Sequence, residues 1–168
     1  MNRKPFYLLS LFIGLLLLQV LVFNNIQFLG YINPYIYIVF IFVFPYKTNR
    51  FPLLTTAFLL GLFIDLFSDS GGIHAFSTTL IAYLRIYFFR GIFQKTEVDY
   101  EFFKLNRETF GKIFNFTVIL TLIHHFILFS LINFSLANFF YIITNTISSS
   151  IFTLVLYFLG NFIFSRKQ

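Results

Sequence analysis

The chain has 168 residues, of which 58% are hydrophobic and 11% are charged, and its mean hydropathy is +0.84. That composition excludes a water-soluble globular protein and predicts an integral membrane protein. Because the sequence contains no cysteine, it also excludes a disulfide framework, a thiolate metal site and a cysteine nucleophile.

Six apolar runs follow one another along the chain, separated by turn residues or charges. A hydrocarbon core about 30 Å thick requires roughly 20 apolar residues per helix, so the chain has room for about six spans and little else. We therefore predict an all-α protein with one transmembrane domain over residues 1–168. The second and third runs are short, which leaves open a nearly untilted or partly re-entrant course. The predicted spans are Phe6 to Phe23, Phe28 to Phe44, Phe51 to Phe67, Gly72 to Phe89, Phe110 to Phe134 and Leu136 to Phe164.

Lysine and arginine gather at alternate ends of these runs. They lie at Arg3, Lys4, Lys47, Arg50, Arg90, Lys95, Lys104, Arg107, Lys112, Arg166 and Lys167. Since such cations are retained on the cytoplasmic side, the pattern predicts that both termini and the loop 94–110 are cytoplasmic. The net charge of +6 then reflects topology and attraction to the lipid bilayer, with no nucleic acid as partner. Arg85, one turn inside the fourth run, is expected to snorkel out to water.

Two further expectations concern the start of the chain and the hydrophilic segment after the fourth run. The start of the chain also resembles a signal peptide, but its apolar stretch is long and no A-x-A site follows, so we expect an uncleaved first span. The segment Gln94 to Lys112 mixes acidic and basic residues. It is expected to be a solvated loop rather than a short surface helix, and it is the natural cytoplasmic docking surface.

A polar stripe runs along the sixth span. It consists of Asn145, Ser149, Thr153, Tyr157 and Asn161, at steps of four residues. Lipid offers such side chains no hydrogen-bond partners. We therefore expect the stripe to pack against other helices; a solvated cavity is the alternative.

Two adjacent histidines, His124 and His125, lie near the middle of the fifth span. Neighbouring helical residues point about 100° apart, so the two cannot act as a pair from one face. We expect neutral side chains hydrogen-bonded to a neighbouring helix, and a metal or proton-relay role is the alternative. HExxH, GxSxG-type and GxGD motifs are absent from the sequence, so we predict no catalytic residue, metal or cofactor.

The segment Gly61 to Phe76, GLFIDLFSDSGGIHAF, joins the third and fourth runs and contains Asp65, Asp69 and His74. If the helix continues through Ser68, the two aspartates share a face and could hold a cation or share a proton. Asp69 alternatively suits a turn or an N-cap. A buried carboxylate at Asp65 requires a polar partner, for which the candidates are His74, Arg85 or another protein. The adjacent Gly71 and Gly72 would supply unusual backbone angles.

The residues from Gly61 to Leu84 follow the order G-L-x-x-D-L-x-S, a glycine-containing turn, and G-x-H-A-x-x-x-x-x-x-A-Y-L. This order resembles the signature of the rod-shape-determining MreD family. The resemblance implies a non-enzymatic subunit of the bacterial cell-wall elongation machinery in the inner membrane. It also implies an MreC-like partner and, through it, MreB, a RodA-type glycan polymerase and a class B transpeptidase. In that setting we expect the corner from Gly61 to His74 to shape the contact between the third and fourth spans.

Two other functions stay open at this point. The small six-span chain is also similar in layout to the substrate-binding subunit of energy-coupling-factor vitamin transporters. However, the first span lacks the alanine pattern with which that family contacts its transport partner. A lipid-modifying enzyme that uses Asp65, Asp69 and His74 would gather too few polar residues to be favoured.

Overall fold

A computed structural model describes residues 3–26, 32–95, 103, 105–134 and 138–165. Its helices are α1 (Arg3–Leu21), α2 (Val39–Val43), α3 (Phe51–Ser68), α4 (Ile73–Phe93), α5 (Phe110–Asn133) and α6 (Phe139–Ser165). Short 3₁₀ turns lie at Phe23–Asn25, Ile36–Ile38 and Leu105–Arg107. The all-helical class predicted from the sequence is confirmed for the described part of the chain.

Four of the helical segments are long and apolar enough to cross a membrane, and they mark the chain as a helical membrane protein. They are Pro5–Asn25, Phe51–Ser68, Phe110–Asn133 and Phe139–Ile163. The side chains on their outer faces are large and apolar, and the polar side chains of the helices lie mostly in the interior, among apolar ones. An apolar outer surface with polar groups turned inward is the arrangement that lipid requires.

The predicted second span, 28–44, differs from a regular transmembrane helix. Residues 27–31 lie outside the described part; Asn33 to Tyr35 are not helical, and helix begins only at Ile36. Pro34 accounts for part of the difference, because proline has no N–H and disfavours the helical conformation of the residue before it. Side chains from other helices account for the rest, as described below.

The short helical stretch from Ile36 to Val43 lies in the middle of the bundle. Its residues Tyr37, Ile38, Phe40, Ile41 and Phe42 are completely or almost completely buried. The long helices surround it: α1 packs against α3, α3 against α4, α4 against α5, and α5 against α6. The broken second run is therefore enclosed by the long helices. Irregular backbone is tolerated at membrane depth only where protein surrounds it.

One contact and the order of the helices establish how the helices are directed. The Asn24 amide, just past α1, donates a 2.7 Å hydrogen bond to the Ser68 hydroxyl at the end of α3. Since both helices finish at this point, α1 and α3 run in the same direction. α4 starts at the same end and runs back toward Arg90, so Lys47, Arg50 and Arg90 lie at the opposite end of the bundle.

Candidate functional site

The corner between α3 and α4 is organised around one carboxylate. Asp65 is 5% exposed; its Oδ1 accepts hydrogen bonds from the Ser70 hydroxyl at 2.5 Å and from the His74 N–H at 2.9 Å. Its Oδ2 accepts the Ala75 N–H at 2.8 Å. His74 and Ala75 lie in the first turn of α4, whose N–H groups have no partner within the helix. Asp65 thus caps α4 from the preceding helix, where a negative charge also complements the helix dipole.

Gly61, one turn before Asp65, lets the two helices approach. A Cβ atom at this position would lie 2.5 Å from the Cα of Ala75 and 2.5 Å from the carbonyl oxygen of His74. These are backbone atoms and cannot rotate away. Glycine is therefore required for the distance at which the Asp65 carboxylate reaches the start of α4.

The turn of this corner uses left-handed backbone at three residues. Asp69 has φ 50° and ends α3, while Gly71 and Gly72 have φ 67° and 94°. Of the two roles expected for Asp69, it has the turn and not the N-cap, because Gly72 is the N-cap of α4. Asp69 is exposed and is not among the groups that contact the Asp65 carboxylate. α3 continues through Ser68, as that expectation required, and Asp69 is its left-handed C-cap. A cation or a proton shared between the two carboxylates stays a prediction.

A tyrosine joins two buried histidines next to this corner. The Tyr37 hydroxyl lies 2.8 Å from Nδ1 of His74 and 3.1 Å from Nε2 of His124. The ring of Tyr35 packs beside them, with centroid distances of 5.5 Å to His74 and 5.3 Å to His125. His74 thus connects the two features: its backbone is held by Asp65, and its side chain reaches the centre of the bundle.

His125 contacts α6, whereas His124 contacts Tyr37. Its Nδ1 lies 2.9 Å from the Thr121 carbonyl oxygen and its Nε2 lies 3.1 Å from the Thr153 hydroxyl on α6. A carbonyl oxygen can only accept, so Nδ1 carries a proton. In the neutral ring Nε2 is then an acceptor, and it shares the single Thr153 proton with the Ser149 carbonyl oxygen, which lies 2.8 Å from the same hydroxyl. Neutral rings suit both histidines, since they are fully buried and neither contacts a carboxylate in the described part of the chain.

The polar stripe of α6 packs inward. Asn145, Ser149, Thr153 and Tyr157 are buried, and Asn161 is exposed. The Ser149 hydroxyl accepts the Asn33 N–H at 3.3 Å, and the Thr153 hydroxyl accepts the Tyr35 N–H at 3.0 Å. The stripe therefore supplies hydrogen bonds to backbone that is not helical.

Gln19 on α1 does the same from the opposite side, and the sequence reading missed it. Its Oε1 accepts the Ile36 N–H at 2.9 Å, and its Nε2 donates to the Pro34 carbonyl at 3.2 Å. The signal available in the sequence was the amide itself, since Gln19 and Ser10 interrupt a mostly apolar first run. Together with Ser149 and Thr153, Gln19 satisfies the backbone that the broken second run leaves without helical partners.

Arg85 does not snorkel to water. Its side chain is 2% exposed, and its Nη2 donates to the carbonyl oxygens of Phe42, at 3.4 Å, and Phe44. The guanidinium carbon lies 3.7 Å from the centre of the Tyr46 ring. Burial raises the pKa of the Tyr46 phenol, so the cation meets a neutral ring. Arg85 is held inside the bundle because the carbonyls at the end of α2 require donors, which Arg85 provides.

Within the described residues, no group of three or more His, Asp or Glu side chains is arranged to hold a metal ion. No protein-family model, curated protein or solved structure matches the chain. The described residues define a helical membrane protein. Its buried polar groups bond to one another, to irregular backbone and to carbonyls of their own helices, and a few of them, such as the Ser77 and Ser150 hydroxyls, have no partner in the described part of the chain.

Proposed function

We propose that the chain is a non-enzymatic membrane subunit of the bacterial cell-wall elongation complex, related to MreD, that binds an MreC-like protein. One observation carries the proposal: the residues that the resemblance singles out are in contact with one another. Gly61, Asp65, His74 and Ala75 form the α3–α4 corner. Their contacts are with backbone and neighbouring helices, which supports a role in assembly rather than in catalysis.

The proposed topology has six crossings with both termini in the cytoplasm. The cations Lys47, Arg50 and Arg90 lie at one end of the bundle, opposite the Asn24–Ser68 contact, as the positive-inside rule requires of this topology. α4 has 21 residues and extends about 32 Å. The segment 32–43 extends about 25 Å if its first four residues are counted as extended and the rest as helical. Both lengths support a crossing, the second of them broken.

The partner would bind through outer faces of the bundle, since the interior is filled by its own side chains. The α3–α4 corner would act indirectly, by holding the two helices at a distance that Gly61 and Asp65 determine. Loss of the corner is then expected to weaken partner binding together with the stability of the bundle.

Co-purification tests the proposal. A tagged form of the protein, solubilised in mild detergent from cells that produce the MreC-like protein of the same genome, is expected to retain that protein. Asp65→Ala should reduce the retained amount and alter cell shape, whereas Asp69→Asn should leave both unchanged. If Asp65→Ala changes neither membrane levels, retention nor shape, the assignment of the corner is wrong. If the unaltered protein retains a transporter ATPase and supports vitamin uptake by vesicles, the function is transport instead.

A further inference from the structure

Three cations surround one small cavity at the junction of α2, α3 and α4. Arg85 forms its inner wall, and Lys47 and Arg50 lie on the loop that leads into α3. The cavity has a volume of about 20 Å³, which is room for one water-sized group. The first turn of α3 borders the same cavity, so the helix dipole adds to the positive potential.

The charge of Arg85 is not neutralised by protein. Its partners are two backbone carbonyl oxygens and the face of the Tyr46 ring, and its Nε has no partner. No carboxylate of the described residues pairs with it. A buried cation that lacks a counter-ion is strongly unfavourable, because carbonyl dipoles and a ring face only partly replace its hydration.

The mouth of the cavity is positive and aromatic. The side chain of Lys47 is exposed and that of Arg50 is half-buried. Arg50 lies next to the exposed hydroxyl of Tyr87, which bonds to Tyr83 at 3.1 Å. Tyrosine together with basic residues is typical of the boundary between a bilayer and water. The mouth is thus suited to a charged group at the level of lipid headgroups.

We propose that this cavity, which we call the Arg85 cavity, is an anion site that takes a phosphate group. One phosphate oxygen would enter the cavity next to Arg85, and the rest of the group would stay at the mouth between Lys47 and Arg50. Charge-assisted hydrogen bonds from guanidinium and ammonium to phosphate are among the strong ones available to proteins. The phosphate would come from an anionic lipid headgroup or from solution. This inference does not depend on the proposed function.

The test uses the full chain and two double variants with the same change in net charge. Lys47→Gln with Arg50→Gln removes the cations of the mouth; Arg107→Gln with Lys112→Gln removes two cations of the same end of the protein that do not line the cavity. Inorganic phosphate is titrated against the thermal unfolding midpoint of the detergent-solubilised protein at constant ionic strength. Retention of phosphatidylglycerol against phosphatidylcholine is measured in parallel by native mass spectrometry.

We expect one of the two probes to bind saturably and the Lys47/Arg50 pair to weaken it about tenfold or more, as loss of charge-assisted bonds implies. The Arg107/Lys112 pair should leave it unchanged. Stabilisation by phosphate alone identifies a free anion as ligand, and selective retention of phosphatidylglycerol identifies a lipid headgroup. The proposal is overturned if neither probe binds, or if both double variants weaken binding equally. Arg85→Gln tests the buried cation, and the surface pairs decide the matter if that variant does not fold.

Discussion

The Asp65 carboxylate lies 2.8 Å from the backbone nitrogen of Ala75, so a side chain at the end of α3 caps the first turn of α4 across the intervening turn. Helices usually receive such a cap from the residue at their own N-terminus. Here that residue is Gly72, which has no side chain to offer and whose left-handed backbone makes the turn. Gly72 thus makes the tight turn, and Asp65 supplies the hydrogen bonds that the start of α4 requires.

Substitution of Gly61 by alanine is expected to separate α3 from α4. The added methyl group would overlap the backbone of His74 and Ala75, and overpacking of this kind typically destabilises by about 1–3 kcal/mol. The measurement is the thermal unfolding midpoint in detergent. Gly14→Ala is the matched control, because a Cβ at Gly14 meets nothing within 4 Å. An equal effect of both variants would contradict the close approach at Gly61.

Substitution of Asp65 by asparagine is expected to destabilise the protein by about 1–3 kcal/mol. The amide can accept from one of the N–H groups of His74 and Ala75, but its NH₂ group then faces the other. Hydrogen exchange of the first turn of α4, followed by mass spectrometry, should accelerate in the same variant. Asp69→Asn makes the same chemical change at an exposed turn residue and should leave both measurements unchanged.

Removal of the Tyr37 hydroxyl is expected to take away the partner of Nδ1 of His74 and of Nε2 of His124 in the core. Tyr37→Phe should therefore lower stability by about 1–3 kcal/mol while the ring packing is retained. Chemical unfolding in mixed micelles measures the loss. Tyr83→Phe removes an exposed hydroxyl of the same type and should not change the stability. If Tyr37→Phe leaves the stability unchanged as well, the histidines find other partners.

Replacement of Thr153 by valine is expected to disturb the irregular segment rather than α6 itself. The isosteric side chain no longer accepts the Tyr35 N–H or bonds to Nε2 of His125, so two buried groups lose their partner. We expect a lower unfolding midpoint and faster exchange of the Tyr35 amide. Thr144→Val serves as control, since the exposed Thr144 hydroxyl bonds only to carbonyls of its own helix.

The long helices could be predicted because each is a mostly apolar run bounded by charges, proline, glycine or asparagine. The boundaries of α3 and α5 agree with the predicted spans to within one residue at each end. The corner at Asp69 to Gly72 was also recognisable as a turn. Its interaction partner was not: the sequence offers His74 and Arg85 as partners for Asp65, whereas the carboxylate accepts backbone N–H groups that every residue possesses.

The break in the second run could be predicted only in part from its own residues, through Pro34 and the shortness of the run. The rest depends on Gln19, Ser149 and Thr153, which bond to the non-helical backbone from 15 to 118 positions away along the chain. The prediction that Arg85 snorkels to water was wrong for the same reason. The carbonyl oxygens that hold its side chain belong to the end of α2, which is distant along the chain.

The sequence by itself determined the class of the protein, since the balance of apolar and charged residues decides which solvent can surround the helices. It also determined where the helical runs and the cations lie. Only the tertiary structure decided which polar groups meet. Inside a bilayer such groups must find partners within the protein, and those partners come from helices that are distant in the chain and adjacent in space.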